Sequence, residues 1–158
     1  MRLFIAVAIG ALLLGCGLGR VDRTEAVADL EALLPTLTSD GVTDIYRYED
    51  CHYFAYQRGV FVSYPDRCLL GEVDVAPRAS FDDQARADLD VIDAESERLG
   101  QRLPNVHIEY APDGKVARGS FWFEDDRSFE YEPGRSTLPD GSEATAINAD
   151  WYEVIHTD

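Results

Sequence analysis

The sequence contains one acidic run that could supply ligands to a metal ion. Glu124, Asp125 and Asp126 are consecutive, and Glu130 and Glu132 follow shortly after. Ca²⁺ prefers carboxylate oxygens, but this run lacks the Asp-x-Asp-x-Asp-Gly spacing of a calcium-binding loop. We therefore interpret it as a solvated hairpin tip. Glu124, Asp125 and Asp126 remain weak metal candidates, and the sequence predicts no metal site.

The three histidines offer a second kind of chemistry, because all of them lie on predicted strands. They are His52, His107 and His156. If these strands are neighbours, the imidazoles could converge on a zinc ion or form an acid–base site. Nothing in the sequence requires that convergence. The alternative is that each histidine lies on the surface or is hydrogen-bonded within the core.

Motifs for nucleophilic and nucleotide chemistry are missing from the sequence. There is no Gly-x-Ser-x-Gly serine elbow, and the glycine patterns that cradle phosphates are also missing. We therefore expect no cofactor. A glycosidase needs only two opposed carboxylates, and with 30 acidic residues the sequence can neither locate nor exclude such a pair. A carboxylate-based hydrolase stays open as an alternative.

Aromatic residues give the strongest indication of a binding surface. In a strand, neighbouring side chains point to opposite faces, so rings would lie outside the core if helices cover only one face of the sheet. Such rings suit a protein partner or a sugar. The alternatives are that they pack beneath residues 133–150 or form ordinary cross-strand pairs. The candidate surface residues are Tyr46, Tyr48, Tyr53, Tyr56 and Trp122.

The N-terminal residues indicate export. An apolar run covers residues 3–14, and its last two residues begin the sequence Leu13-Leu14-Gly15-Cys16. The run is shorter than the roughly twenty residues that span a bilayer, and it fits the apolar region of a signal peptide. This segment resembles the lipobox of bacterial lipoproteins, and the resemblance covers residues 1–16 only. The alternatives are an ordinary secretory signal cut shortly after Cys16, or a simple membrane anchor.

The lipobox resemblance implies where the protein resides. Residues 1–15 would be removed as a signal peptide, and Cys16 would be diacylated and become the mature N-terminus. The two acyl chains would supply stable anchoring, with residues 16–21 forming the lipid-attachment cysteine and a spacer. The resemblance therefore implies an extracytoplasmic protein that is lipid-anchored to a bacterial membrane. In a cell with two membranes it implies the outer one, because Gly17 rather than aspartate follows the cysteine.

The two remaining cysteines, Cys51 and Cys68, predict a disulfide. An even number of cysteines in an exported domain is typical of disulfide pairing. A loop of this size would stabilise the domain by about 3 kcal/mol. The alternative is a nucleophile built from Cys51 and His52. Adjacent residues on a strand point to opposite faces, which disfavours that pairing.

Composition limits the partners of the mature chain. The sequence has 158 residues, with 46% hydrophobic residues and a net charge of −16. Residues 22–158 are enough for one domain. So strong a negative charge disfavours nucleic acid and direct contact with an anionic lipid surface, and it permits a cationic partner. The alternative is that the acidity only maintains solubility.

The secondary-structure pattern predicts two helices, each followed by strands. The first helix begins at Asp22 and ends or kinks at Pro35. The second is capped by Ser80 and ends at Gly100 or Pro104. A hairpin turn at Arg58-Gly59 places Cys51 opposite Asp66. The predicted strands cover 42–48, 52–56, 60–64, 106–110, 116–123, 128–132 and 151–156.

This element order predicts an α+β fold, in which two helices pack on one face of an antiparallel sheet. Ala28-Asp29-Leu30-Glu31 recurs as Ala87-Asp88-Leu89-Asp90 before the second group of strands. The fold could therefore be a duplicated helix-plus-hairpin unit, with coincidence as the alternative. For function, we expect a lipid-anchored envelope protein whose non-catalytic domain binds another envelope protein or a cationic ligand. The alternatives are a carboxylate-based hydrolase of the envelope and a purely structural accessory lipoprotein.

Overall fold

The computed structural model describes residues 22–48, 51–63, 79–99, 102, 104–124, 126–135, 137–138 and 143–156. Two helices lie in these residues, α1 (Arg23–Ser39) and α2 (Asp83–Arg98). The described strands are β1 (Asp44–Tyr48), β2 (Cys51–Tyr56), β3 (Gly59–Val62), β4 (Ala79–Ser80), β5 (Asn105–Tyr110), β6 (Val116–Glu124), β7 (Arg127–Tyr131), β8 (Glu143–Ala146) and β9 (Trp151–Ile155).

The core lies between the two helices and one face of the sheet, so the predicted α+β class is confirmed. Helix α1 and helix α2 each bury an apolar stripe, and the larger buried side chains of the sheet pack against both stripes. No helix among the described residues is long and apolar enough to cross a bilayer. The main core residues are Val27, Leu30, Leu33, Leu37, Leu89, Ile92, Ile45, Phe54, Val106, Phe121, Phe129 and Trp151.

Helix α1 begins as predicted but does not end at Pro35. The Asp22 side chain accepts the backbone N–H groups of Thr24 and Glu25, which caps the first turn. Pro35 lacks an N–H and so leaves the Glu31 carbonyl without its helical donor. Both residues are exposed, where water can satisfy that carbonyl. The helix therefore continues through Pro35 to Ser39.

Helix α2 begins two residues later than predicted. The capping residue is Asp82, whose carboxylate accepts the backbone N–H of Ala85 at 2.6 Å. Ser80, the predicted cap, lies in β4 and pairs with Val62 of β3 in a parallel register. Because Ser80 is extended and paired in the sheet, it is not available to cap the helix.

The strands form one sheet in the order β4-β3-β2-β1-β5-β6-β7-β9-β8. All described pairs are antiparallel except β3 with β4. Helix α1 is followed by the meander β1–β2–β3 and helix α2 by the meander β5–β6–β7, and the first strands of the two meanders pair at Asp44 with His107. A duplicated unit would have this topology, and the duplication itself stays a prediction.

The first hairpin has a different register from the predicted one. Tyr56 pairs with Gly59, so the turn consists of Gln57 and Arg58. Gly59 has a φ of 134°, a conformation that side-chain-bearing residues rarely adopt, and it opens strand β3. The predicted alignment of Cys51 with Asp66 is therefore wrong by two positions.

The connection from β7 to β8 returns the chain along the length of β9. Both strands are antiparallel to β9, which lies between them, so β7 and β8 run in the same direction. The chain must therefore travel from one end of β9 back to the other between Tyr131 and Glu143. Arg135, in the described first part of this connection, lies 4.7 Å from the ring of Tyr152.

Candidate functional site on the open face of the sheet

The candidate site lies on the sheet face that points away from both helices, which we call the open face because neither helix covers it. Several of its side chains are nonetheless buried, among them Val62, Ser128 and Glu130. Phe121 and Phe129 are paired across β6 and β7 and belong to the core beneath the helices. Because side chains alternate along a strand, their neighbours Ser120, Trp122 and Glu130 point to the open face.

One row of this face is aromatic. Tyr46 and Tyr53 are paired across β1 and β2, with ring centroids 5.9 Å apart. Trp122 follows farther across the sheet, paired with Asn105 of β5. Burial, and then the charge of Asp44, raises the pKa of the Tyr46 hydroxyl. Tyr46 and Trp122 are half-buried, so part of each ring is accessible to a partner, whereas Tyr53 is only 6% exposed and is not accessible.

The neighbouring row is polar and crosses five strands. Successive cross-strand pairs join Asp44, His107, Ser120, Glu130 and Tyr152. His107 Nδ1 lies 2.7 Å from an Asp44 oxygen. Acids and aromatic rings thus occupy adjacent rows of one surface.

Both ring nitrogens of His107 face carboxylates. Its Nε2 lies 3.5 Å from an oxygen of Glu109, on the side opposite the Asp44 contact. The side chain of Glu109 is 57% exposed. This end of the polar row therefore presents negative charge to solvent, which suits a cationic group.

Glu130 is the buried centre of the polar row, with only 3% of its surface exposed. The hydroxyls of Ser120 and Ser128 donate to its two oxygens at 2.7 and 2.8 Å. Arg118 lies 3.4 Å away and is half-exposed. Hydrogen bonds to a charged group offset much of the cost of burying it. This carboxylate therefore holds the neighbouring hydroxyl groups in place, but it is too deeply buried to contact a large ligand.

His156 completes a chain of contacts beside Glu130. Its Nε2 lies 3.1 Å from the Ser128 hydroxyl, and its ring stacks on Trp122 with centroids 4.3 Å apart. A catalytic triad needs histidine between the serine and the carboxylate. Here the serine lies between the other two groups and is fully buried. This arrangement cannot present an activated hydroxyl to a substrate.

Tyr56 does not belong to the candidate surface, so its prediction is wrong. It lies on the helix side of β2, where its ring stacks on Phe54 at 4.2 Å. Its hydroxyl donates to Asp88 of α2 at 2.7 Å. Burial, supported by this bond, raises the pKa of Tyr56 to about 12. The reason is alternation, because Tyr53 and Tyr56 differ by an odd number of positions and so face opposite sides.

Several predicted site residues lie outside the described part of the structure. These are Cys16, Cys68, Asp125 and the side chains of Tyr48 and Glu124. Asp126 is an exposed turn residue whose carbonyl accepts the N–H of His156. Among the described residues, no group of three or more His, Cys, Asp or Glu side chains is arranged to hold a metal.

The three histidines do not converge on one site. His52 lies on β2 opposite Arg47, and His107 and His156 contact different carboxylate and hydroxyl partners.

Sequence reasoning also missed Ser120, Ser128 and Tyr152 as members of the site. Their alternation with Phe121, Phe129 and Trp151 was the available signal. Cys51 begins β2 and packs beside Tyr46 and Tyr53.

Compared with known protein families, with curated proteins and with solved structures, the chain matches none of them.

Proposed function

We propose that this chain is a lipid-anchored protein of the bacterial cell envelope whose domain binds a cationic partner through its open face. The partner is a basic segment of another envelope protein or a smaller cationic ligand. The observation that carries the proposal is the placement of two partly exposed rings, Tyr46 and Trp122, beside the acids Asp44 and Glu109 on a face that the helices leave uncovered.

The two rows offer two kinds of contact to the cationic side chains of a basic segment. Lysine and arginine side chains are attracted to the faces of tyrosine and tryptophan rings. The same cations would pair with Asp44 and Glu109, which lie on neighbouring strands of the same face. The net charge of −16 would speed the encounter with a cationic partner, and this effect weakens as salt is added.

The geometry supports binding more than hydrolysis. A glycosidase places two carboxyl groups roughly 5–10 Å apart around one bond. Among the described residues, the two most deeply buried carboxylates are Glu130 and Glu153, which lie on opposite faces of the sheet and cannot flank one substrate. The buried Ser128 lies between Glu130 and His156 and is not placed as a nucleophile.

Membrane attachment is tested separately from binding. The lipobox resemblance of residues 1–16 supports the proposed anchor, and these residues lie outside the described part of the structure. Replacing Cys16→Ser should move the protein from the membrane fraction to the soluble extracytoplasmic fraction. Unchanged fractionation would contradict the lipid anchor and leave the binding proposal to its own test.

Site-specific photo-cross-linking in intact envelopes tests the binding surface. A photoreactive residue replaces Tyr46 in one variant, Trp122 in a second and Val91 in a third. Val91 is a matched control because it is 60% exposed on α2, on the other side of the sheet. We expect the same partner adduct from the first two positions and none from the third.

The charge of the surface is tested with the same adduct. Asp44→Asn should lower the yield of the adduct, and so should added salt, because both reduce the attraction between acids and a basic partner. An adduct of equal yield from Val91, or one that is insensitive to both changes, would rule out the open face as the cationic binding surface.

A further inference from the structure

A small cavity lies beside the polar row, under the connection from β7 to β8. It has a volume of about 210 Å³. Arg135 and Leu138 line it from the connection, and Asn148, Asp150 and Tyr152 line it from the hairpin of β8 and β9. Drug-sized ligands occupy sites of roughly 300–1,000 Å³. This cavity therefore suits a smaller molecule.

Arg135 is held rigidly at the wall of this cavity. Its Nε donates to the carbonyl of Thr137, and its Nη1 donates to Glu132 and to the Tyr152 hydroxyl. The guanidinium also stacks on the Tyr152 ring at 4.7 Å. No bond from its Nη2 is seen among the described residues, so two N–H donors are free for a ligand.

Asp150 supplies the opposite charge to the same space. Its Oδ1 accepts the backbone N–H of Gly134 at 3.0 Å, and its own backbone N–H donates to Asn148 at 2.9 Å. These bonds fix the carboxylate, while Oδ2 shows no bond within the part of the chain that the structure describes. A carboxylate can accept up to about four hydrogen bonds. Acceptor capacity therefore remains for a ligand cation.

From this pairing we infer that the cavity binds a free α-amino acid in its zwitterionic form. Arg135 Nη2 donates to the carboxylate of the ligand, and Asp150 Oδ2 accepts from its ammonium group. Leu138, which is 40% exposed, and Ala146 supply an apolar wall for a short aliphatic side chain. A zwitterion can use both the remaining Nη2 donors of Arg135 and the Oδ2 acceptor of Asp150, whereas a ligand that carries only one of the two groups leaves one of these sets of atoms without a partner.

Calorimetric titration of the full-length chain, purified in detergent, tests this inference. The probes are L-alanine and L-leucine at millimolar concentration, with acetate and methylammonium as ligands that carry one charge each. We expect saturable heat from the amino acids only. Saturable heat from acetate or methylammonium equal to that from the amino acids, or no heat from either amino acid, would overturn the inference.

Two variants locate the site. Asp150→Asn keeps an oxygen for the Gly134 N–H but removes the charge, so it should weaken amino-acid binding about tenfold. Asp113→Asn makes the same chemical change in an exposed turn outside the cavity and should leave binding unchanged. Thermal unfolding of both variants checks that they are folded. Equal affinity in Asp150→Asn and the unmodified chain would also overturn the inference.

This site is independent of the proposed cationic binding surface. Cross-linking through Tyr46 and Trp122 can fail while the cavity binds amino acids, and the reverse can also occur. The two experiments use different residues and different readouts, so the failure of one is distinguishable from the failure of the other.

Discussion

The carboxylates of Glu130 and Glu153 lie on adjacent strands and point to opposite faces of the sheet. Glu130 of β7 pairs with Tyr152, and Glu153 of β9 pairs with Phe129, so the two acids are offset by one position. Glu130 is satisfied by serine hydroxyls on the open face, whereas Glu153 is paired with arginines beneath α1. One sheet thus buries two carboxylates by two different means.

The bond from Ser128 to Glu130 gives the first prediction. Ser128→Ala removes the hydroxyl that donates to Oε1 of a carboxylate that is only 3% exposed. A hydrogen bond to a buried charged group is worth about 1.5–3 kcal/mol. Urea unfolding should show a loss of stability of that size. The matched control is Ser39→Ala at the exposed end of α1, where we expect little change. Equal effects of the two variants would contradict the assigned role of Ser128.

The buried ion pairs of Glu153 give the second prediction. Arg23 and Arg127 lie 2.6 and 3.5 Å from its oxygens, and its side chain is 1% exposed. Arg127→Gln removes a counter-charge from a carboxylate that stays buried, which should cost about 3 kcal/mol. Chemical unfolding measures the loss. Glu95→Gln breaks an exposed pair with Arg98 on α2 and should produce no measurable change. The prediction fails if the two substitutions have the same effect.

The hydroxyl of Tyr56 gives a prediction in alkali. Its pKa is raised by burial to about 12, above its ordinary value of about 10. The folded state therefore holds this proton more tightly than the unfolded chain, and the resulting stability is complete below pH 10. It is lost as pH rises from about 10 to about 12. Tyr56→Phe should flatten the decline in stability over this range. Chemical unfolding of both proteins at several pH values measures this difference.

An absorbance titration of the tyrosines isolates this group. Tyr56→Phe should remove one of the late-ionising tyrosines. The same variant should raise the pKa of Asp88, which the hydrogen bond from Tyr56 lowers more than any other contact. If the alkaline titration of the variant matches that of the unmodified chain, the assignment of the raised pKa to Tyr56 is wrong.

Gly119 is required by the packing of a neighbouring ring. A Cβ at this position would lie 2.9 Å from Cε2 of Phe121, which is fully buried. Gly119→Ala should therefore destabilise the fold by about 1–3 kcal/mol through overpacking. Gly114→Ala is the control for backbone effects. A Cβ added there would have no atom within 4 Å, but φ is +80°, so any loss of stability would come from the backbone and not from packing.

A second variant separates overpacking from other causes. In a Phe121→Leu background the ring is gone, so adding Gly119→Ala should cost much less than it does in the native chain. The difference between the two costs is the coupling energy of a double-mutant cycle. A coupling energy near zero would show that the Phe121 ring is not what excludes a side chain at position 119.

Much of the fold could be predicted because local patterns decide it. The Asp22 cap and the stripe over Leu30 and Leu37 are local features, and both are observed. Strand β8 was missed because Glu143–Ala146 has only four residues and no large apolar side chain. Its pairing with β9, rather than its own composition, makes it a strand. The continuation of α1 through Pro35 likewise depends on packing at Leu37 and on water at the exposed side of the helix.

The site could be predicted only in part. Alternation alone separates Tyr46, Tyr53 and Trp122 from the core face. In contrast, Ser128 and Glu130 read as a solvated strand face when β7 is considered alone. Their burial arises from side chains on β6 and β9, which are distant in sequence. No local pattern in the sequence carries that information.

The disulfide between Cys51 and Cys68 stays a prediction, because Cys68 lies outside the described residues. We expect no free thiol at either position in the unreduced, denatured protein. Cys51→Ser, Cys68→Ser and the double variant should each lose about 3 kcal/mol, because the loss of either sulfur abolishes the same bond. Thiol titration and chemical unfolding measure the two effects. Two titratable thiols at these positions, or costs that add in the double variant, would show that the cysteines stabilise the domain separately.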